Sequence, residues 1–106
     1  MPKYLIKASY TAEGAQGIQS KGGRARRDAV DATVRGLGGQ MESFYFGFGD
    51  ADAYVLADLP DNVAAAAISL AVNASGAVAA QTVALLTVEE LDEAAKRSVD
   101  YRPPGS

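Results

Sequence analysis

Ser43-Phe44-Tyr45-Phe46-Gly47-Phe48 is the stretch on which the fold turns. Side chains alternate along a strand, so Phe44, Phe46 and Phe48 fall on one face and Tyr45 on the other. The stretch Val78 to Thr87 alternates Val78, Ala80, Thr82, Ala84 and Leu86 with Ala79, Gln81, Val83, Leu85 and Thr87. Neither set is polar enough to face water, so a sheet of these strands is apolar on both faces. A chain of 106 residues forms one domain with a single helical layer. That layer covers one face. A second copy of the chain is the expected cover for the other, with Phe46 as an expected interface residue.

Outward from this strand, the rest of the chain supplies its partners. Lys3 to Tyr10 alternates Tyr4, Ile6, Ala8 and Tyr10 with Lys3, Leu5, Lys7 and Ser9, which predicts a first strand. Residues 11 to 23 hold Gly14, Gly17, Gly22 and Gly23 and read as a loop. Val30, Val34 and Leu37 recur at helical spacing, predicting a helix from Arg24 to Leu37 stopped by Gly38 and Gly39. The central strand spans Gln40 to Phe48, and Gly49-Asp50-Ala51-Asp52 turns it into a third strand, Ala53 to Leu59. Asp61 is placed to cap a second, alanine-rich helix, which reads as buried on most sides. A fourth strand runs from Ala77 to Leu86, and Thr87 and Glu90 have the spacing of a capping box for a short acidic helix to Arg97.

The order β-α-β-β-α-β predicts an α+β, ferredoxin-like sandwich: a four-stranded antiparallel sheet, two helices on one face and an extra C-terminal helix. Two open faces packed together make a dimeric α+β barrel. Residues 1–97 form the domain and 98–106 a flexible tail. The abundant alanine predicts a fine-grained, closely packed core.

Composition excludes several classes of function. A net charge of -3 lacks the basic field that nucleic acid or an anionic membrane requires. No apolar run approaches the roughly 20 residues of a membrane span. With no cysteine and no histidine, the usual metal ligands, thiol nucleophiles and imidazole bases are missing, so neither a metal site nor a cofactor is expected. The start, Met1-Pro2-Lys3-Tyr4, enters a strand pattern directly, and a cytoplasmic protein without a leader is the expectation.

The chain resembles the GYD-domain family of small bacterial proteins. Tyr10-Thr11-Ala12-Glu13-Gly14, Gly22-Gly23-x-Ala25-x-Arg27, Leu37-Gly38-Gly39 and Phe44-Tyr45-Phe46 carry the likeness, in that order. Gly49-Asp50-Ala51-Asp52, Pro60-Asp61-Asn62 and Leu85 to Glu90 complete it. The resemblance implies a ferredoxin-like, dimeric α+β barrel and self-association, and implies no particular activity. Gly49 and Asp52 match the Gly-Tyr-Asp element of the family, with Ala51 where the tyrosine is expected.

Three sets of residues are candidates for chemistry. Lys21, Gly22, Gly23, Arg24 and Arg27 combine flexible backbone with basic side chains at a helix start, which suits an anion. The bland reading pairs Arg24 with Asp28 and Arg27 with Asp31 on the helix surface. Asp50, Asp52 and Asp58 are the acidic set. The first two read most simply as turn residues. Asp58 shares a strand face with Tyr54 and needs a partner, which Lys3, Lys7 or Arg24 could supply across an interface. Tyr4, Tyr10, Tyr45 and Tyr54, with Asp58, are the candidates for a small organic ligand, because aromatic rings stack on planar molecules while hydroxyls orient them. Plain packing is the alternative. The acidic run Glu89-Glu90-x-Asp92-Glu93 reads as a solvated helix face, or one that docks on a neighbour's basic loop.

Three function classes stay open. The first is an oligomeric protein that binds a small molecule or an anion. The second is a cofactor-independent enzyme acting on a small aromatic or carbonyl compound. The third is a structural or partner-binding oligomer without a ligand.

Overall fold

The computed structural model describes residues 1–105; Ser106, the end of the expected tail, lies outside them. The elements are β1 (Lys3–Tyr10), α1 (Ala12–Lys21), α2 (Gly23–Gly36), β2 (Gln40–Phe46), β3 (Ala53–Asp58), α3 (Asn62–Ala74), β4 (Val78–Leu85) and α4 (Val88–Ala95). The strands form one antiparallel sheet in the order β2-β3-β1-β4. With helices packed on one face, this is the ferredoxin-like α+β fold that the strand and helix order predicts.

The caps fall where the sequence places them. Asp61 accepts a hydrogen bond from the Ala64 N–H at 2.9 Å, opening α3. Thr87 and Glu90 satisfy each other's backbone donors at the start of α4. Gly38, at φ 81°, donates to the Arg35 carbonyl and ends α2. Gly39 passes so close to the backbone of Asp58 and the side chain of Leu59 that no Cβ fits there.

One segment departs from the sequence reading. Residues 12–21, expected as loop, form α1. Glycine weakens a helix interior by about 1 kcal/mol, but here tertiary contacts override it. The Thr11 hydroxyl caps the helix by accepting from the Gly14 N–H at 3.3 Å. The Thr11 N–H and hydroxyl both donate to the Ala77 carbonyl. A Cβ on Gly14 would collide with that same carbonyl. Gly14 is there for close approach of the helix to the start of β4, not to break the helix.

The covered face holds the core. Tyr4 and Ile6 of β1 and Val55 and Ala57 of β3 are buried against Val34 of α2 and Ala65 and Ile68 of α3, while Ala8 and Ala53 are buried in a second cluster with Val78 of β4. The second strand joins this face through a β-bulge. Met41 pairs with Ala57 but Ser43 pairs with Leu56, so Glu42 is the extra residue. The bulge carries Met41, Phe44 and Phe46 to the helical side, with Phe44 and Phe46 edge to face at 5.0 Å. Phe46 therefore points towards Gly23 of α2 and not to the open face, correcting its expected interface role. Phe48 lies beyond the strand in the turn and is fully exposed.

The open face presents Leu5, Lys7, Tyr54, Leu56 and Val83, with Leu56, Leu5 and Val83 side by side across three strands. The outer helices are less covered than expected. Only Ala65 and Ile68 of α3 are buried, while Val63 and Leu70 stand exposed, because nothing packs on the outer side of the helical layer. Every residue from Leu86 to Gly105 is exposed. The radius of gyration, 16.7 Å, exceeds the roughly 13 Å of a compact chain of this length, so α4 and the tail stand off the body as an arm. No helix among the described residues is long and apolar enough to cross a membrane.

Candidate functional site

α2 rests on β2 and α3 on β4, leaving the middle of the covered face between them. The strands there carry small side chains: Ala8 of β1, Ala53 of β3 and Ala80 of β4. Alanine under two separated helices leaves space. A cavity of about 130 Å³ results, floored by Ile6, Ala8, Ala53 and Val55 and walled by Val30, Val34, Ile68 and Val72. The expectation that the alanines make a closely packed core is thus overturned at this point: small residues fill the sheet plane but not the gap above it.

Tyr10 and Arg26 sit at one side of the cavity and also line a wider cleft of about 520 Å³ between α1, the start of α2 and the start of β4. Tyr10, Arg26, Ala29 and Val78 line both spaces, so these side chains form the wall between the inner cavity and the outer cleft. The Arg26 guanidinium lies 5.8 Å from the centre of the Tyr10 ring, in cation–π contact. Its Nε is buried and has no hydrogen-bond partner among the described residues. An unpaired buried donor costs about 1–3 kcal/mol, more for a charged group. Arg26 is thus a half-buried side chain with a donor left without a partner beside the cavity; the Thr82 Oγ1 is the other such buried atom, and it does not line the cavity.

The candidate basic cluster divides. Lys21 and Gly22 line the outer cleft together with Arg26. Gly22, at φ 87°, both ends α1 and begins α2, and it gives α2 no side-chain cap. Arg24 and Arg27 do not line the cleft. Gly23 is packed beneath Phe46. The pairs expected on the helix surface do not form: Arg27 meets its neighbour Asp28 at 3.1 Å, and Asp31 meets Arg35.

The acids are engaged in holding the fold. The Asp52 carboxylate accepts the Tyr10 N–H at 2.9 Å, tying the end of β1 to the turn between β2 and β3. Gly49 lies exposed in that turn, and Ala51, at the position of the expected tyrosine, is buried. Asp58 finds its partner within its own chain: Lys3 bridges it at 3.1 Å and Glu42, the bulge residue, at 2.6 Å. The Glu42 hydrogen bond and then the Asp58 one raise the Lys3 pKa above its ordinary value of 10.5. No group of acids among the described residues is arranged to hold a metal ion.

The tyrosines do not converge either. Tyr4 is buried and donates to the Asn62 Oδ1 at 2.5 Å, away from the cavity. Tyr10 lines the cavity. Tyr45 and Tyr54 are opposite each other on the open face. Sequence reasoning counts Arg26 within the basic run Lys21 to Arg27 but does not single it out as a ligand candidate. Its signal was helical spacing: Arg26, Ala29, Val30 and Thr33 follow i, i+3, i+4, i+7, the side of α2 that faces the sheet.

The fold and site define a ferredoxin-like α+β domain with an internal cavity between helices and sheet. The GYD domain family model matches residues 4–95, and the chain belongs to that family. No curated protein matches it.

Proposed function

We propose that this protein is a self-associating carrier or sensor of a small molecule, which it holds in the cavity between α2, α3 and the sheet. The observation that carries this reading is the apolar cavity, which shares a wall containing Arg26 with the outer cleft. Hydrocarbon walls with a few placed polar groups are the usual composition of a ligand pocket. Engagement of Asp52 and Asp58 in structural contacts favours binding over acid–base catalysis.

Self-association through the open sheet face belongs to the same reading. Leu5, Leu56 and Val83 form an apolar row between polar ones, a composition that suits a homodimer interface. The arm of α4, whose Val88 and Leu91 are exposed, is free to cross onto a second copy.

Native mass spectrometry tests the self-association, and methyl NMR spectra with added benzene test the cavity. The expected result is a dimer or larger assembly, and methyl signals of Ile6, Val55 and Ile68 that move when benzene is added. A monomer at micromolar concentration would end the self-association reading. Unmoved methyl signals would end the cavity reading.

A further inference from the structure

We propose that the ligand is a small organic monocarboxylate, with an apolar body of about one six-membered ring in the cavity and its carboxylate on Arg26. This rests on the cavity being the ligand site, and it adds the chemical class.

Size sets the body. The cavity, about 130 Å³, is close to the roughly 150 Å³ of a hydrocarbon-lined cavity that takes benzene. Ile6, Val55, Ile68 and Val72 offer such a body only dispersion contacts.

Arg26 sets the head group. The Arg26 guanidinium carbon lies 5.8 Å from the centre of the Tyr10 ring, a cation–π contact that supplies its N–H groups with no oxygen acceptor. The Nε–H, buried and without an acceptor among the described residues, is a donor that a ligand in the cavity can satisfy. A carboxylate accepts Nε–H and a terminal N–H side by side, the geometry in which arginine binds it best. Lys21 and the uncapped start of α2, both at the same cleft, add positive potential and exclude a cationic head group. Glu13 also lines the cleft, and its negative charge works against a dianion such as phosphate. One buried donor without a partner, one opposing acid and a ring-sized apolar chamber together fit a monoanion with a hydrocarbon body.

The test uses the full chain and three probes: benzoate, neutral benzyl alcohol and inorganic phosphate at matched ionic strength. Methyl spectra and melting temperature report binding. Benzoate should move the Ile6, Val55 and Ile68 methyl signals and raise the melting temperature. Benzyl alcohol should bind at the same methyls about tenfold more weakly, the loss of one charge-assisted hydrogen bond. Phosphate should leave the methyls unmoved. Arg26→Gln should weaken benzoate about tenfold and leave benzyl alcohol unchanged, which also shows that the variant's cavity is intact. Equal binding of benzoate and benzyl alcohol, unaffected by Arg26→Gln, would overturn the carboxylate assignment while leaving the cavity as a site. Stabilisation by phosphate equal to that by benzoate would move anion binding to the exposed basic residues and overturn it too. If none of the probes moves the methyl signals, the cavity reading itself falls, and this proposal with it.

Discussion

The two faces of the sheet are written in the same strands, one residue out of step, and they have opposite fates. On β1, Tyr4, Ile6 and Ala8 point to the helices and are buried, while Leu5 and Lys7 between them point to the open face and are half-covered. On β3 the split is the same, with Ala53, Val55 and Ala57 against Tyr54, Leu56 and Asp58. The covered face avoids charge but leaves a cavity. The open face has no helix, and it pairs Lys3 with Asp58 and Glu42 within the chain while Lys7 makes no ion pair among the described residues. Apolar pattern alone thus does not distinguish the covered face from the open one. The polar residues interleaved with it do.

The sharpest way to break this comparison is to shorten adjacent residues on β1. Ile6→Ala should cost about 2–5 kcal/mol in urea denaturation, because it enlarges a void that cannot collapse. Leu5→Ala should cost about 1 kcal/mol in the dilute subunit, and its main effect should be weaker self-association by light scattering. Equal losses in stability would mean that the two faces are equally core.

The Asp52 bond comes next. Asp52→Ala leaves the Tyr10 N–H without its charged acceptor and should cost about 1.5–3 kcal/mol. Hydrogen exchange at Tyr10 should accelerate more than at Ile6. Because Tyr10 carries Arg26, benzoate binding should also weaken in this variant. Tyr4→Phe removes the bond to Asn62 and should cost about 0.5–1.5 kcal/mol by thermal melting, with no change in cavity binding, since Tyr4 lies outside it.

The smallest effect belongs to the open face. Lys3 has a folded-state pKa above 10.5, so its contribution is complete below that pH and is lost as pH rises through the folded value. Stability measured between pH 9 and 12 should fall slightly faster in the parent protein than in Lys3→Met. A parallel decline would show that the Lys3, Glu42 and Asp58 cluster does nothing for the folded state.

Much of the fold was legible from local signals. Caps at Asp61, Thr87 and Glu90, alternation on β1 and the Gly38-Gly39 stop each depend on residues within a few positions. What resisted reading depended on distant residues. Gly14 reads as a helix breaker until the Ala77 carbonyl is seen against it. Phe46 reads as an interface residue until the bulge at Glu42 shifts its strand by one position. Arg26 reads as one of several arginines until its Nε is found buried beside a cavity.

By itself, then, the sequence determined the order of strands and helices and the alternation that gives the sheet two apolar faces, because those depend on periodicity and short-range hydrogen bonds. Tertiary structure alone decided which aromatic residues face the helices, which acids are already paired and where space remains. Those outcomes depend on how far apart two helices settle over a floor of alanines, a distance that no local pattern encodes.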